Sequence, residues 1–91
     1  MRRKHRSDGN QPAIVKALTK VGIKTYPIGR PVDLLAWMPG CTVVPLEVKL
    51  PEREEELEPT QRDFLATAVG FVVTTPEQAI AVVRKHSRRA T

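Results

Sequence analysis

Cys41 is the only cysteine among the 91 residues. That excludes an intrachain disulfide and leaves nothing with the ligand spacing of a structural zinc site; Cys41 itself is expected to be a small buried hydrophobe near a turn. No stretch approaches the roughly 20 consecutive apolar residues that a membrane span requires. Met1 to Arg6 is basic with no apolar segment behind it, so no secretory signal is expected, and the expected compartment is the cytoplasm. Aromatic residues make up only 4% of the chain. Tyr26 and Trp37 fall in strand-like runs, where core positions are commoner than base-stacking ones. His5 and His86 have no partner at metal-ligand spacing and are expected to be structural or exposed.

Acidic residues are missing from both ends. Arg2, Arg3, Lys4 and Arg6 precede the first acid, and Arg84, Lys85, Arg88 and Arg89 follow the last. Removing those eight from the fifteen Lys and Arg leaves seven against ten acids, so the body is net −3 inside a chain of net +5. Basic arms over residues 1–6 and 86–91 would grip phosphate without sequence preference; two flexible, solvated ends are the plain alternative. The length allows a single domain over residues 1–91 with one hydrophobic core. So small a domain with a cleft is expected to gain from forming a homodimer.

The first periodic segment runs from about Gln11 to Val21, with Ile14, Ala17, Leu18 and Val21 at helical spacing. Asp8 or Asn10 suits its cap, Pro12 its first turn and Gly22 its end. Short runs bounded by Pro or Gly follow: Ile23 to Ile28, Val32 to Met38 and Thr42 to Leu50, each expected to be a strand. In the third, Val44, Leu46, Val48 and Leu50 alternate with Val43, Pro45, Glu47 and Lys49, so Glu47 and Lys49 share the face away from the core. Pro51 to Glu58 holds five of the ten acids and is expected to be a solvated connection. Pro59 opens a helix whose stripe Gln61, Phe64, Leu65 and Ala68 carries a glutamine inward. Phe71 to Thr74 is expected to be a fourth strand, and Thr75 with Gln78 has the form of a capping box before a third helix burying Ala79, Ile80 and Val83. The expected fold is α/β in the order αβββαβα, with a central four-stranded mixed sheet flanked by helices.

Pro39-Gly40 makes the second and third strands a hairpin, and its register decides the chemistry. With an odd loop, Asp33 lies opposite Glu47 with Cβ atoms about 5 Å apart. With an even loop, Asp33 pairs with Leu46 and points the other way. Pro45 cannot donate to a ladder and marks a possible bulge. If the two carboxylates meet, they repel unless a proton or cation intervenes, and Mg²⁺ takes such oxygen ligands. The carbonyl of Val48 offers a further oxygen. Lys49 can hold a scissile phosphate or an attacking water, which makes the group a phosphodiesterase site. An ordinary cross-strand salt bridge among Asp33, Glu47 and Lys49 is the competing explanation. Gln61 adds an amide that must find partners, and Arg30, just before Asp33, is a candidate phosphate contact.

Val32-Asp33-Leu34-Leu35, then Leu46-Glu47-Val48-Lys49 after a Pro-Gly turn, then Pro59-Thr60-Gln61 opening a helix, resembles the VRR-NUC (virus-type replication-repair nuclease) branch of the PD-(D/E)XK superfamily, particularly its small stand-alone phage and bacterial members. The similarity spans roughly Ser7 to Val83. It implies a restriction-endonuclease-like core, Mg²⁺ or Mn²⁺ dependence, and endonucleolytic hydrolysis of DNA by a homodimer, including branched DNA such as four-way junctions. By position it makes Asp33 and Glu47 metal ligands, Lys49 the catalytic lysine and Gln61 the supporting helix residue. The chain departs from the family pattern twice. Val32 separates Pro31 from Asp33, and the first helix has no acid where family members often carry one, near Ala13, so Asp8 or Gln11 must take that role or it is vacant. A non-catalytic nucleic-acid-binding module is therefore the alternative, and a protein-protein adaptor a third possibility.

Overall fold

All three helices begin with a proline in the first turn, where the missing N–H has no intrahelical acceptor to reach. The computed structural model describes residues 9–53, 55–68 and 70–89. Helix α1 (Gln11–Lys20) is followed by strands β1 (Lys24–Pro27), β2 (Leu34–Trp37) and β3 (Val44–Val48), then α2 (Pro59–Thr67), β4 (Phe71–Val73) and α3 (Pro76–His86). A short 3₁₀ turn at Pro51–Arg53 lies in the acidic connection. The αβββαβα order is as expected from the sequence.

Helix α1 ends one residue earlier than its apolar period suggests. The N–H of Ile23 donates to the carbonyl of Leu18 and the N–H of Gly22 to that of Thr19, with Gly22 at φ 86°. This is a Schellman closure, in which the left-handed residue is naturally glycine and the hydrophobes on either side, Leu18 and Ile23, both become buried. Val21 leaves the helix here, so it does not join the inward stripe as expected and is 43% exposed. At the other end Asn10 occupies the cap position without capping; its amide is used across the fold. At α3, Thr75 Oγ1 does accept from the Gln78 N–H at 3.1 Å, as expected, while the Gln78 side chain accepts from Thr74 rather than closing a reciprocal box.

The sheet order is β1-β2-β3-β4, antiparallel for the first two pairs and parallel for the last. Helices α1 and α3 cover one face. There Ile14, Leu18, Ile23, Leu34, Ala36, Val44, Leu46, Val48, Val73, Ala79 and Val83 form one dry core. Helix α2, the crossover between the parallel strands β3 and β4, lies on the opposite face, where Phe64, Leu65 and Pro45 close around Gly70. No residue of α2 is fully buried.

The C-terminal segment departs from the flexible arm expected over 86–91. His86 completes α3 and stacks on Phe71 at a ring-centroid distance of 4.3 Å. Buried Ser87 donates to the carbonyl of Thr42 at 2.7 Å and accepts from the N–H of Met38 at 3.0 Å. The N–H of Thr42 donates to the Arg88 carbonyl, the N–H of Arg88 to Thr42 Oγ1, and Arg89 forms a bridge with Cys41, which is only half-buried. These bonds satisfy the irregular backbone of the β2–β3 connection, which is why the segment is held. Arg2, Arg3, Lys4, His5, Arg6 and Asp8 lie outside the described residues. No helix among the described residues is long and apolar enough to cross a membrane.

Candidate active site

The hairpin register is the odd one. Met38 to Cys41 form a tight turn closed by the Cys41 N–H on the Met38 carbonyl, with Gly40 at φ 79° in the position where a type II turn needs a positive angle. The ladder pairs Ala36 with Val44, Leu35 with Pro45 and Leu34 with Leu46. Continued by one residue, it sets Asp33 opposite Glu47, on the face turned from the core. Pro45 sits within the regular register and makes no bulge.

Asp33 is held from several sides. Its Oδ2 accepts the N–H of Val48 at 2.8 Å, and its backbone carbonyl accepts the N–H groups of Ile28 and Gly29. The 28–33 loop thus closes on the residue it presents. Arg30 is exposed within that loop, consistent with a rim position.

Glu47 is 2% exposed, far more buried than a residue on a solvated sheet face, because α2 covers it. Gln61 is the reason for that cover. Its Oε1 accepts the Glu58 N–H at the start of α2, which fixes the amide and directs Nε2 to Glu47 Oε2 at 2.9 Å. Lys49 Nζ stands 3.4 Å from the same Oε2. Burial, then the neighbouring Asp33 charge, raises the Glu47 carboxyl from its ordinary 4.5 to about 7, while Lys49 and a backbone hydrogen bond at Asp33 pull it down.

Three buried side-chain oxygens have no hydrogen-bond partner among the described residues: Glu47 Oε1, Gln11 Oε1 and Asn10 Oδ1. A buried acceptor without a donor is costly unless something else meets it. Asn10 Nδ2 donates to the carbonyls of Lys49 at 3.0 Å and Thr74 at 2.8 Å, joining the start of α1 to the carboxyl ends of β3 and β4. Gln11 follows it at that same end. Asp33, Glu47, Lys49 and Gln61 are thus gathered at one end of the sheet, beside the carbonyl-bearing Val48, and Asn10 ties the start of α1, where Gln11 follows it, to that end.

Local pattern marks Asn10 only as a cap, because its true partners are 39 and 64 residues away. The outlying cations are placed differently. Arg88 and Arg89, both exposed, adjoin the β2–β3 turn, about 15–20 Å along β3 from Glu47 at ordinary strand rise. No group of three or more His, Cys, Asp or Glu gathers among the described residues, so any cation here would be held by two carboxylates with neutral oxygens.

The fold and this site define an α/β domain with a four-stranded mixed sheet flanked by helices and a buried, cross-strand carboxylate pair at one end of its two central strands. No family model, no curated protein and no solved structure matches the chain.

Proposed function

We propose that the protein is a divalent-cation-dependent endonuclease with a restriction-endonuclease-like core, of the VRR-NUC kind within PD-(D/E)XK nucleases, acting as a homodimer on branched DNA. The observation that carries this reading is the pairing of Asp33 with Glu47 at a buried position where Glu47 Oε1 has no donor. Such an atom suits a cation better than an ion pair, since the Lys49 ammonium already engages the other oxygen.

The donor set is all oxygen and fits Mg²⁺ or Mn²⁺: the Asp33 and Glu47 carboxylates, the Val48 carbonyl and the Gln11 amide oxygen in place of a first-helix acid. When bound, the cation supplies Lewis-acid charge at the scissile phosphate and makes a nearby water more acidic. The protein's own residues do the positioning. Gln61, anchored on the α2 N-terminus, orients Glu47. Lys49, with a side chain 14% exposed, presents its ammonium to a phosphate oxygen as charge develops there. Arg30, Arg88 and Arg89, with Arg2, Arg3, Lys4 and Arg6, supply cationic contacts to the backbone.

Cleavage of labelled duplex, flap and four-way-junction DNA in Mg²⁺ or Mn²⁺ tests the reading. Wild type is expected to cut and Lys49→Ala to lose about 100-fold or more of the rate; equal cleavage by both defeats it. A nucleic-acid-binding module that keeps the fold is the second reading, favoured by Ala13 standing near the place where family members carry a first-helix acid. It predicts DNA affinity without cleavage.

A further inference from the structure

Helix α2 meets the face of the sheet that carries Asp33 and Glu47 through Gln61 on Glu47 and through Phe64 and Leu65 beside Gly70, while Lys24 and Tyr26 of β1 on that face stay exposed. Pairing places Tyr26 opposite Leu35 and Lys24 opposite Trp37. The Ile28 N–H bonds to the Asp33 carbonyl, which continues the same ladder. Since Leu34 and Ala36 point into the core, Tyr26, Ile28, Leu35 and Trp37 all stand on the opposite face. Two of the four exposed large hydrophobics among the described residues lie here: Tyr26 at 61% and Ile28 at 37%. An antiparallel sheet face open to water is ordinarily polar, so an apolar one implies an occupant.

We propose that this face is a stacking platform for the unpaired bases of a single DNA strand, leading that strand to Asp33 and Glu47. Tyr26 and Trp37 are diagonal neighbours, about 7–8 Å apart in this geometry, and offer two aromatic surfaces side by side. Lys24, exposed opposite Trp37, supplies a cation within the patch. Charge favours this occupant over a second copy of the chain. Packing the apolar patch on itself would bring two Lys24 ammonium groups into one interface, whereas a phosphate backbone matches them. The platform is also bracketed along the sheet, by the carboxylate site at one end and exposed Arg88 and Arg89 at the other. The identity of the strand as a nuclease substrate rests on the function proposed above; the stacking does not.

Trp37 is the only tryptophan, so its emission reports on the platform directly. Full-length protein titrated with oligodeoxythymidine in EDTA should show saturable quenching of Trp37. Tyr26→Ala should weaken this binding about 5- to 100-fold and Tyr26→Phe by no more than about twofold, with fully paired duplex affected little. Unchanged Trp37 emission, or equal affinity of wild type and Tyr26→Ala, overturns the proposal. So does concentration-dependent self-association that buries Trp37 and is abolished by Tyr26→Ala, which assigns the face to a second copy. Because EDTA removes cleavage from the measurement, stacking without later Mn²⁺-dependent cutting counts only against the nuclease reading, and cutting without stacking only against the platform.

Discussion

The two faces of the sheet follow different rules. On the α1/α3 face Leu34, Ala36, Val44, Leu46, Val48 and Val73 of the strands are sealed hydrophobes, each at most 2% exposed. On the α2 face a buried glutamate, an ammonium, a glutamine and several exposed hydrophobes share one surface. The first face holds the domain together. The second keeps a charge with a strongly raised proton affinity and an acceptor without a donor, features that lower stability and are retained at sites with chemistry to perform.

Adjacent leucines on β2 give the largest contrast. Leu34→Ala, in the closed core, is expected to cost about 2–5 kcal/mol in chemical denaturation. Leu35→Ala, half-buried on the other face, should cost about half of that or less. Equal losses would mean that both faces are sealed alike.

Glu47 gives a contrast of opposite sign. Its carboxyl sits near 7 in the folded protein against an ordinary 4.5, so folding tightens its proton. That contribution is complete below pH 4.5 and is lost as pH rises from 4.5 to 7; above 7 the buried charge costs about 3 kcal/mol relative to low pH. Glu47→Gln should therefore raise the stability of the cation-free protein at pH 8 by up to about 3 kcal/mol, with no gain at pH 4. A loss at pH 8 would show that Glu47 is structural.

Gln61 gives the smallest effect. Gln61→Leu removes the amide that orients Glu47 and should weaken Mn²⁺ affinity about 10- to 100-fold, as loss of a supporting contact around a metal does. Unfolding should change little, since no residue of α2 is fully buried. Unaltered Mn²⁺ affinity would reduce Gln61 to a helix cap.

Much of this was legible in the residues. The period-two alternation of Val44, Leu46 and Val48 against Pro45, Glu47 and Lys49 marked both faces of β3, and prolines marked every helix start. The register of the hairpin was open because Pro39-Gly40 constrains the turn without counting the residues around it; the tight turn alone would pair Met38 with Cys41, and the irregular Thr42-Val43 step takes up the one residue that brings Leu34 opposite Leu46. Burial of Glu47 could not be read, since it depends on where α2 lands. The anchoring of Ser87, the long reach of Asn10 and the exposure of Tyr26 depend on contacts distant in sequence, which local pattern does not encode.

Uptake of Mn²⁺ by the full chain, followed by calorimetry at pH 8 in wild type, Asp33→Asn and Glu47→Gln, tests the central claim most directly. Saturable binding in wild type that disappears in both variants, while all three remain folded, is the predicted result. Equal uptake by all three, or none by the wild type, would contradict a cation site built on Asp33 and Glu47.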